Sequence, residues 1–395
     1  MKEGYRFLGE YIRQVDIRNK EGKKENLLGV SVQKQFIQSI ANTVGTDFTK
    51  YKVVKKGQFT YIPDTSRRGD KIAIALLEDY EEGLVSNVYT VFEVIDTEKL
   101  LPEYLMLWFS RPEFDRYARF KSHGSVREVM DWEEMCKVEL PVPDIEKQRK
   151  IVKAYKTITD RIALKQKIND NLVACIDTIF NEQFGNFKAL AESSTANTDF
   201  SSLPDGWTIE NAVHSFDISI GKTPPRSEPE WFTSNQTDNV WISIADMKTN
   251  SPFIFKSAEY LTNEAVKKHN VKIVPANSVL LSFKMTVGRV AIVTNEVTTN
   301  EAIAHFPCTK ENLFFVYCYL KNFNYGYLGS TSSITTAINS KIIKEMPFLM
   351  PSKKELNLFN RKVSGLFEQL KYISKELDIL EELSKMLLPQ LLGHC

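Results

Sequence analysis

The stretch that decides the fold is residues 352–389, SKKELNLFNRKVSGLFEQLKYISKELDILEELSKMLLP. Its apolar residues alternate at spacings of three and four positions, and Ser384 is the one polar interruption. Alternation sustained over more than four heptads is typical of a coiled-coil seam, which is narrower than the apolar stripe of a surface helix. The predicted seam residues are Leu356, Phe359, Val363, Leu366, Leu370, Ile373, Leu377, Leu380 and Leu387. Such a helix needs a partner.

The ends of this helix are marked by local signals. Ser352 is a suitable N-cap, and Pro389 is expected to end the helix because proline cannot donate a backbone hydrogen bond. The predicted helix therefore covers residues 352–388. At 1.5 Å per residue, a helix of ~36 residues is ~54 Å long.

One other segment, residues 144–184, is long enough to be the partner. It follows Pro141 and Pro143, which cannot continue a helix, and Asp144 is a suitable N-cap. Gly185 is its expected end. Its predicted seam residues are Ile151, Tyr155, Ile158, Ile162, Leu172 and Ile176.

The spacing in this second stripe is less regular than in the first. Threes and fours are mixed around Lys165 and Asn169, so the pattern defines a long helix better than it defines the register. Two arrangements satisfy both stripes: the helices pair within one chain, or two copies of the chain pair as a homodimer.

The chain is also a degenerate tandem repeat. ELPVP before the first helix, residues 139–143, corresponds to EMPFLMP before the second, residues 345–351, and the last prolines are 208 positions apart. With that offset Ile151 falls on Phe359, and the other seam positions that we compared also coincide. Two halves of the same architecture are therefore expected.

Each half has a mixed sequence ahead of its helix. Short β-rich runs at residues 71–76, 278–283 and 290–293 are separated by polar, turn-like stretches, which predicts α+β domains. The apolar content of 43% and the charged content of 26% are those of a globular protein. The predicted boundaries are a first domain at residues 1–143, a central spacer helix at 144–184, a linker at 185–202, a second domain at 203–351 and a C-terminal spacer helix at 352–388.

The sequence contains no recognisable catalytic motif. Gly221-Lys222-Thr223 matches only the end of a phosphate-binding P-loop, because Phe216 occupies the position of its first glycine. The sequence TPPR at residues 223–226 lacks both ends of a base-methylation loop. The five histidines are isolated, and the five cysteines form no C-x-x-C pair. We therefore predict no catalytic residues, no metal site and no cofactor in this chain.

The N-terminal sequence and the apolar runs predict a cytoplasmic location. The first residues, MKEGYRF, lack the apolar core of a signal peptide. No apolar run approaches the ~18 residues that a membrane span requires. We therefore expect no contact with a membrane.

The remaining features favour binding to nucleic acid. The formal net charge of +1 is uninformative, because such a protein can concentrate positive charge in one groove and balance it elsewhere. Each half places basic, hydroxyl and amide side chains in loop-like sequence, a mixture that contacts phosphates and base edges. The candidate DNA-contacting residues are Ser31, Gln33, Lys34, Arg67, Arg68, Lys121 and Arg127 in the first half, and Lys222, Arg226, Lys248, Lys284, Thr286, Arg289, Ser330 and Thr331 in the second.

The whole chain resembles the specificity subunit of type I restriction-modification enzymes. Residues 140–152, LPVPDIEKQRKIV, look like that family's lead-in to its central helix, and residues 203–207, LPDGW, look like its domain opening. The first half departs from the pattern, since it begins with YRFLG at residues 5–9 and has no Gly-Trp pair there. The second helix also departs, with KEL at residues 354–356 where the first has EKQ at residues 146–148.

The resemblance implies a division of labour between subunits. Each α+β domain would be a target-recognition domain for one half of a bipartite double-stranded DNA target, and the two helices would pack antiparallel as a spacer. Two methyltransferase subunits and the restriction and translocase subunits would bind this chain and use S-adenosylmethionine, ATP and Mg²⁺. Two alternatives stay open: a coiled-coil interaction scaffold with no DNA role, and an enzyme whose site is not recognisable.

Overall fold

The computed structural model of the chain describes residues 4–39, 45–65, 71–122, 128–192, 201, 203–248, 251–329 and 338–392. The chain divides into two compact units, of which unit 1 comprises Met1–Arg161 and Glu381–Cys395, and unit 2 comprises Ile162–Leu380. The architecture is the predicted one, namely two tandem α+β domains joined by two long antiparallel helices.

Unit 1 combines small antiparallel sheets with short helices. Its described strands are β1 (Tyr5–Phe7), β2 (Ile12–Val15), β3 (Ile17–Arg18), β4 (Leu28–Val30), β5 (Phe36–Gln38), β6 (Lys52–Lys55), β7 (Phe59–Ile62), β8 (Ala73–Leu76), β9 (Glu82–Val85), β10 (Thr90–Val94) and β11 (Glu139–Pro141). Its helices are α1 (Pro102–Phe109), α2 (Pro112–Lys121), α3 (Trp132–Cys136) and the first part of α4 (Ile145–Glu192). The largest sheet has the order β2-β10-β7-β8, a second has the order β3-β6-β9, and β1 and β4 pair with β11 and β5.

Aromatic side chains fill the core of unit 1. Phe59 of β7 and Phe92 of β10 stack with ring centroids 4.8 Å apart, and Phe109 of α1 meets Phe59 edge-on at 5.8 Å. Every residue of β8 is buried, which explains why the run at residues 71–76 is continuously apolar. The strand predicted in that run is confirmed.

Unit 2 has the same construction with larger sheets. Its described strands are β12 (Thr208–Asn211), β13 (Ser219–Ile220), β14 (Phe232–Thr233), β15 (Asn239–Ile242), β16 (Phe253–Ile254), β17 (Glu259–Leu261), β18 (Ser278–Ser282), β19 (Val290–Val293), β20 (Thr298–Thr299), β21 (Ile303–Pro307) and β22 (Pro347–Met350). Its helices are α5 (Ala212–Ser215), α6 (Asn263–Lys268), α7 (Leu313–Asn322), α8 (Ser340–Glu345) and most of α9 (Lys353–Leu392). One sheet has the order β13-β21-β18-β19-β16, another has the order β14-β17-β15-β20, and β12 pairs with β22. Strands β18 and β19 confirm the other two predicted runs.

The two long helices pair antiparallel within the chain. In unit 2, Lys165 of α4 pairs with Glu376 of α9 at 2.8 Å. Further along α4, Gln183 donates to Glu355, which lies earlier in α9, at 3.1 Å. The stripes of one chain therefore pack against each other, and pairing between two copies is not needed to explain them.

The 208-residue repeat extends into the cores of the units. Phe180 and Phe184 of α4 are buried in the core of unit 2. Leu388 and Leu392 of α9, at the corresponding repeat positions, are buried with Ile151 in the core of unit 1. Each core therefore includes side chains from both long helices.

The N-caps of the long helices form as predicted. Asp144 Oδ1 accepts a hydrogen bond from the Lys147 amide at 2.9 Å, and Ser352 Oγ accepts one from the Glu355 amide at 3.4 Å. Both caps satisfy a backbone donor that has no partner inside the helix.

The predicted end of α4 at Gly185, and with it the start of the linker, is wrong, because the helix continues to Glu192. Phe187 packs on Trp207 with ring centroids 4.7 Å apart, and Glu192 accepts a hydrogen bond from the Asn324 amide at 2.7 Å. A glycine inside a helix costs only about 1 kcal/mol relative to alanine, so these tertiary contacts outweigh it.

The predicted end of α9 before Pro389 is also wrong, because that helix continues to Leu392. Proline removes one backbone hydrogen bond there. Burial of Leu388 and Leu392 on either side of the proline offsets this loss.

Polar residues occupy the part of the seam where the spacing is irregular. Asn169 is 3% exposed, whereas the neighbouring Ile168 is 37% exposed. Asn169 therefore lies in the buried seam, together with the partly buried Lys165. A polar residue at such a position favours one register at some expense of stability. All of the predicted seam residues are buried or half-buried.

We expect Gly185→Ala to raise the free energy of unfolding by up to about 1 kcal/mol, because alanine is the better helix former and the site is open. An added Cβ at Gly185 would meet nothing closer than Asn181 at 3.9 Å. Gly206→Ala is the matched control, and it should destabilise because Gly206 has φ +77°. Denaturant unfolding followed by circular dichroism measures both. Destabilisation by Gly185→Ala would instead indicate a helix that ends there.

Candidate nucleic-acid interface

Hydrogen bonds from Ser282 brace the loop between β18 and β19, residues 283–289. The Ser282 hydroxyl donates to the Thr286 carbonyl at 2.6 Å and accepts from the Arg289 amide at 3.0 Å. The Ser282 carbonyl accepts from the Gly288 amide at 3.0 Å. Three hydrogen bonds of Ser282 therefore hold the two ends of the loop together.

Gly288 allows this loop to pack closely on its neighbour. It has φ +89°, and an added Cβ would lie 3.2 Å from the Tyr325 ring. Glycine meets both requirements at little steric cost. Lys284 and Thr286, two of the candidate DNA-contacting residues, are exposed beyond this packed base.

A second loop, residues 221–226, lies against the segment that follows β20. The Lys222 amide donates to the Thr299 carbonyl at 2.9 Å. Gly221 passes so close that an added Cβ would lie 2.1 Å from the Asn300 carbonyl oxygen. The Lys222 side chain is exposed at this point.

Glu301 links the two loops electrostatically. The Thr223 hydroxyl donates to its carboxylate. Burial raises the pKa of Glu301, but this hydrogen bond and the positive charges of Lys284 and Arg226 outweigh burial, so the pKa is lowered overall. The structure therefore brings candidate residues from the two loops together around one carboxylate.

Arg226 is occupied by contacts within the protein. Its guanidinium donates two hydrogen bonds to Glu259, at 2.7 and 2.8 Å, and lies over the rings of Phe232 and Trp241 at 3.9 and 4.8 Å. The hydrogen bonds to Glu259 raise the pKa of Arg226. We interpret Arg226 as a residue that shapes the loop, since a bidentate pair leaves fewer donors for a phosphate.

Arg289 also contacts the protein. Its Nη1 donates to the Ile244 carbonyl at 2.6 Å, which ties the β18–β19 loop to the loop at residues 243–248. Lys248 is exposed on that second loop. Arg289 therefore positions a candidate surface that includes Lys248.

A buried histidine fixes the strand that leads into the 221–226 loop. His305 of β21 is fully buried, with its Nδ1 and Nε2 atoms 2.9 Å from Ser219 Oγ and 2.7 Å from Thr299 Oγ1. Burial lowers the pKa of His305 to about 4. The imidazole is neutral near pH 7 and connects β13, β20 and β21.

In unit 1, Lys34 has a structural role. Its ammonium donates to Asp115 at 2.6 Å and to the Ile72 carbonyl at 2.8 Å, and its side chain is only 8% exposed. Burial lowers the pKa of Lys34, although the hydrogen bond to Asp115 acts in the opposite direction. Lys34 therefore joins two loops to α2, and its ammonium is buried and paired within the protein, unlike that of a typical phosphate ligand.

The other described candidates of unit 1 are Ser31, Gln33 and Lys121. Ser31 donates to the Gln35 carbonyl at 3.2 Å, and Gln33 is exposed in the same turn. Lys121 is half-buried at the end of α2, with its ammonium 3.9 Å from Glu134. Gln33 is therefore accessible for an external contact, whereas Lys121 is already near a carboxylate of the protein.

The β7–β8 and β18–β19 loops occupy corresponding places in their sheets. The order β2-β10-β7-β8 in unit 1 matches β13-β21-β18-β19 in unit 2. Arg67 and Arg68 fall between β7 and β8, as Lys284, Thr286 and Arg289 fall between β18 and β19. The predicted contacts Arg67, Arg68, Arg127, Ser330 and Thr331 lie outside the described residues.

Two exposed apolar side chains in the described ranges were missed in the sequence. Met285 is 98% exposed at the tip of the β18–β19 loop, and Phe120 is 79% exposed near the end of α2. A search for polar contacts passes over such residues. The available signal was a large apolar residue between Lys284 and Thr286, in a loop bounded by two buried strands.

Two kinds of feature are missing from the described ranges. Within them, no group of three or more His, Cys, Asp and Glu side chains could hold a metal ion. No helix in those ranges combines the length and apolarity that crossing a bilayer demands.

The fold defines a class of protein with two similar α+β domains and a shared pair of long helices. A family model described as the type I restriction modification DNA specificity domain matches residues 9–174 and 215–385. The chain belongs to this family of DNA specificity proteins.

Two relatives are similar to most of the chain. The type I restriction enzyme HindI specificity subunit of Haemophilus influenzae is 24% identical over 87% of this chain and 87% of its own length. The type I restriction enzyme MjaIX specificity subunit of Methanocaldococcus jannaschii is 23% identical over 75% of this chain and 70% of its own length. In fold, the chain is similar to a type I restriction-modification S subunit from M. genitalium, with a TM-score of 0.58, 13% identity, and coverage of 99% of this chain and 96% of that one.

We expect the stability of unit 2 to fall as the pH drops from about 6.5 to about 4, because the unfolded chain binds a proton at His305 before the folded chain does. Across this pH range His305 lowers the free energy of unfolding by about 3 kcal/mol. Above the ordinary pKa of histidine, about 6.5, this loss is absent. Denaturant unfolding at a series of pH values measures it. His305→Gln should flatten the curve in this window, whereas His214→Gln, at an exposed site, should not. Equal curves for both variants would contradict the assignment.

Proposed function

We propose that each α+β domain recognises one half of a bipartite double-stranded DNA target, and that partner subunits perform the catalysis. The observation that supports this best is the repeated strand order, β2-β10-β7-β8 in unit 1 and β13-β21-β18-β19 in unit 2, with candidate cations between corresponding strands in the sequence. Linking two modest sites in one chain strengthens binding, because the second contact becomes intramolecular.

The partners would be two methyltransferase subunits together with restriction and translocase subunits. Both relatives are named as specificity subunits of type I restriction enzymes, which supports this assembly. S-adenosylmethionine, ATP and Mg²⁺ would be bound by those partners, and this chain would work in the cytoplasm without a cofactor.

Exposed apolar side chains on the long helices are candidate contacts for the methyltransferase subunits. In unit 2, Leu164 of α4 and both Tyr372 and Ile379 of α9 are largely exposed. Large apolar side chains exposed on a helix pair gain free energy when a partner covers them.

We expect the two parts of the DNA target to change independently. Replacing residues 1–140 with those of another family member should change one part of the methylated sequence and leave the other part and their spacing intact, because the second domain and the helices are unaltered. Sequencing of methylated sites in a strain that carries the chimera measures this. An unchanged target would overturn the proposal.

We expect Lys284→Ala to weaken binding to target DNA and to reduce the slope of log affinity against log salt by about one, as for the loss of one phosphate contact. Lys310→Ala is the matched control, because Lys310 is exposed beyond the opposite end of β21. Fluorescence anisotropy at several salt concentrations measures both variants. Equal effects of the two substitutions would exclude a specific role for Lys284. The absence of salt-sensitive DNA binding would favour the scaffold alternative, which has no DNA role.

A further inference from the structure

Met285 combines two unfavourable properties at one position. Its side chain is 98% exposed, so a large apolar surface remains in water. Its backbone has φ +58°, a conformation that favours glycine or asparagine. If the loop served only to reverse the chain direction, a glycine at this position would avoid both the exposed apolar side chain and the unfavourable φ angle.

The loop is built to project this side chain. The Thr286 amide donates to the Lys284 carbonyl at 2.6 Å, which closes a tight three-residue turn centred on Met285. The base of the turn is braced by Ser282 and by the packing of Gly288 on Tyr325. Conformational strain of this kind persists where the surrounding structure enforces it, and it is concentrated at functional sites.

The charges around the turn fit a polyanion. Lys284 precedes Met285 and is exposed, and Lys222 is exposed on the other loop of this surface. The Glu301 carboxylate is engaged by the Thr223 hydroxyl and lies near Lys284 and Arg226, so its charge is partly balanced. A phosphate held by Lys284 would leave Met285 close to the bases.

We propose that Met285 is an apolar wedge that enters the base stack of the double-stranded DNA bound by the second domain and partly unstacks one base step. Inserted side chains such as Met, Leu and Phe unstack steps in this way in proteins that bend DNA. Pyrimidine–purine steps unstack most easily. The wedge therefore favours a TA or CA step in this half of the target, without a hydrogen bond to either base.

The test rests on the proposed DNA recognition. It uses the full chain and DNA duplexes that contain the target sequence identified by sequencing methylated sites. 2-Aminopurine, whose fluorescence rises when it is unstacked, replaces one adenine at a time in the half assigned to the second domain. The wild-type chain should produce a rise at one pyrimidine–purine step. Met285→Ala should abolish that rise and weaken binding about tenfold, comparable to one mismatched base pair. Met285→Leu should keep both the fluorescence rise and the wild-type affinity.

Two controls separate the wedge from other effects. Ile273→Ala removes another exposed apolar side chain of unit 2, at the opposite end of β18, and should leave the fluorescence and the affinity unchanged. A fluorescence rise that persists in Met285→Ala originates elsewhere and would overturn the wedge. Wild-type affinity in Met285→Ala would also overturn the wedge. The same holds if replacing thymine with uracil in the DNA causes the affinity loss seen for Met285→Ala while no base step is unstacked. The absence of any DNA target would instead overturn the proposed function.

Discussion

The structure depends on one constraint: the core of each unit is completed by side chains from both long helices. In unit 2, Phe180 and Phe184 of α4 are fully buried beside Phe359 and Val363 of α9. Complete burial of one such side chain contributes roughly 1.5–3 kcal/mol. The helix pair is therefore part of each domain and not an appendage to it. A change in the register of the two helices would disturb the domain cores as well as the seam.

This constraint explains which parts of the fold were predictable. The helices, their caps and three buried strands follow from local patterns, because periodicity and capping are properties of neighbouring residues. The helix ends do not follow, because Gly185 and Pro389 are local stop signals that long-range burial outweighs. The register around Asn169 does not follow either, because a polar residue is buried there and an apolar pattern does not mark it.

The candidate interface was less predictable than the fold. The sequence identifies loops rich in cations, but it does not show whether a cation already has a partner in the protein. Lys34 is paired with Asp115, Arg226 with Glu259, and Arg289 with the Ile244 carbonyl, and all three partners are distant in sequence. Met285 was missed for the opposite reason, because no polar or periodic pattern marks an isolated apolar residue that a strained turn exposes.

The division of the chain into units also bears on how it folds during synthesis. Unit 2 is one continuous segment, Ile162–Leu380, whereas unit 1 also requires residues after Leu380. Leu388 and Leu392 belong to the core of unit 1, so that core stays incomplete until the ribosome has added the last turns of α9. Domains generally fold in the order of their translation. Here we expect the order to be reversed, with the N-terminal domain held open, and exposed to chaperones and proteases, until its C-terminal helix emerges.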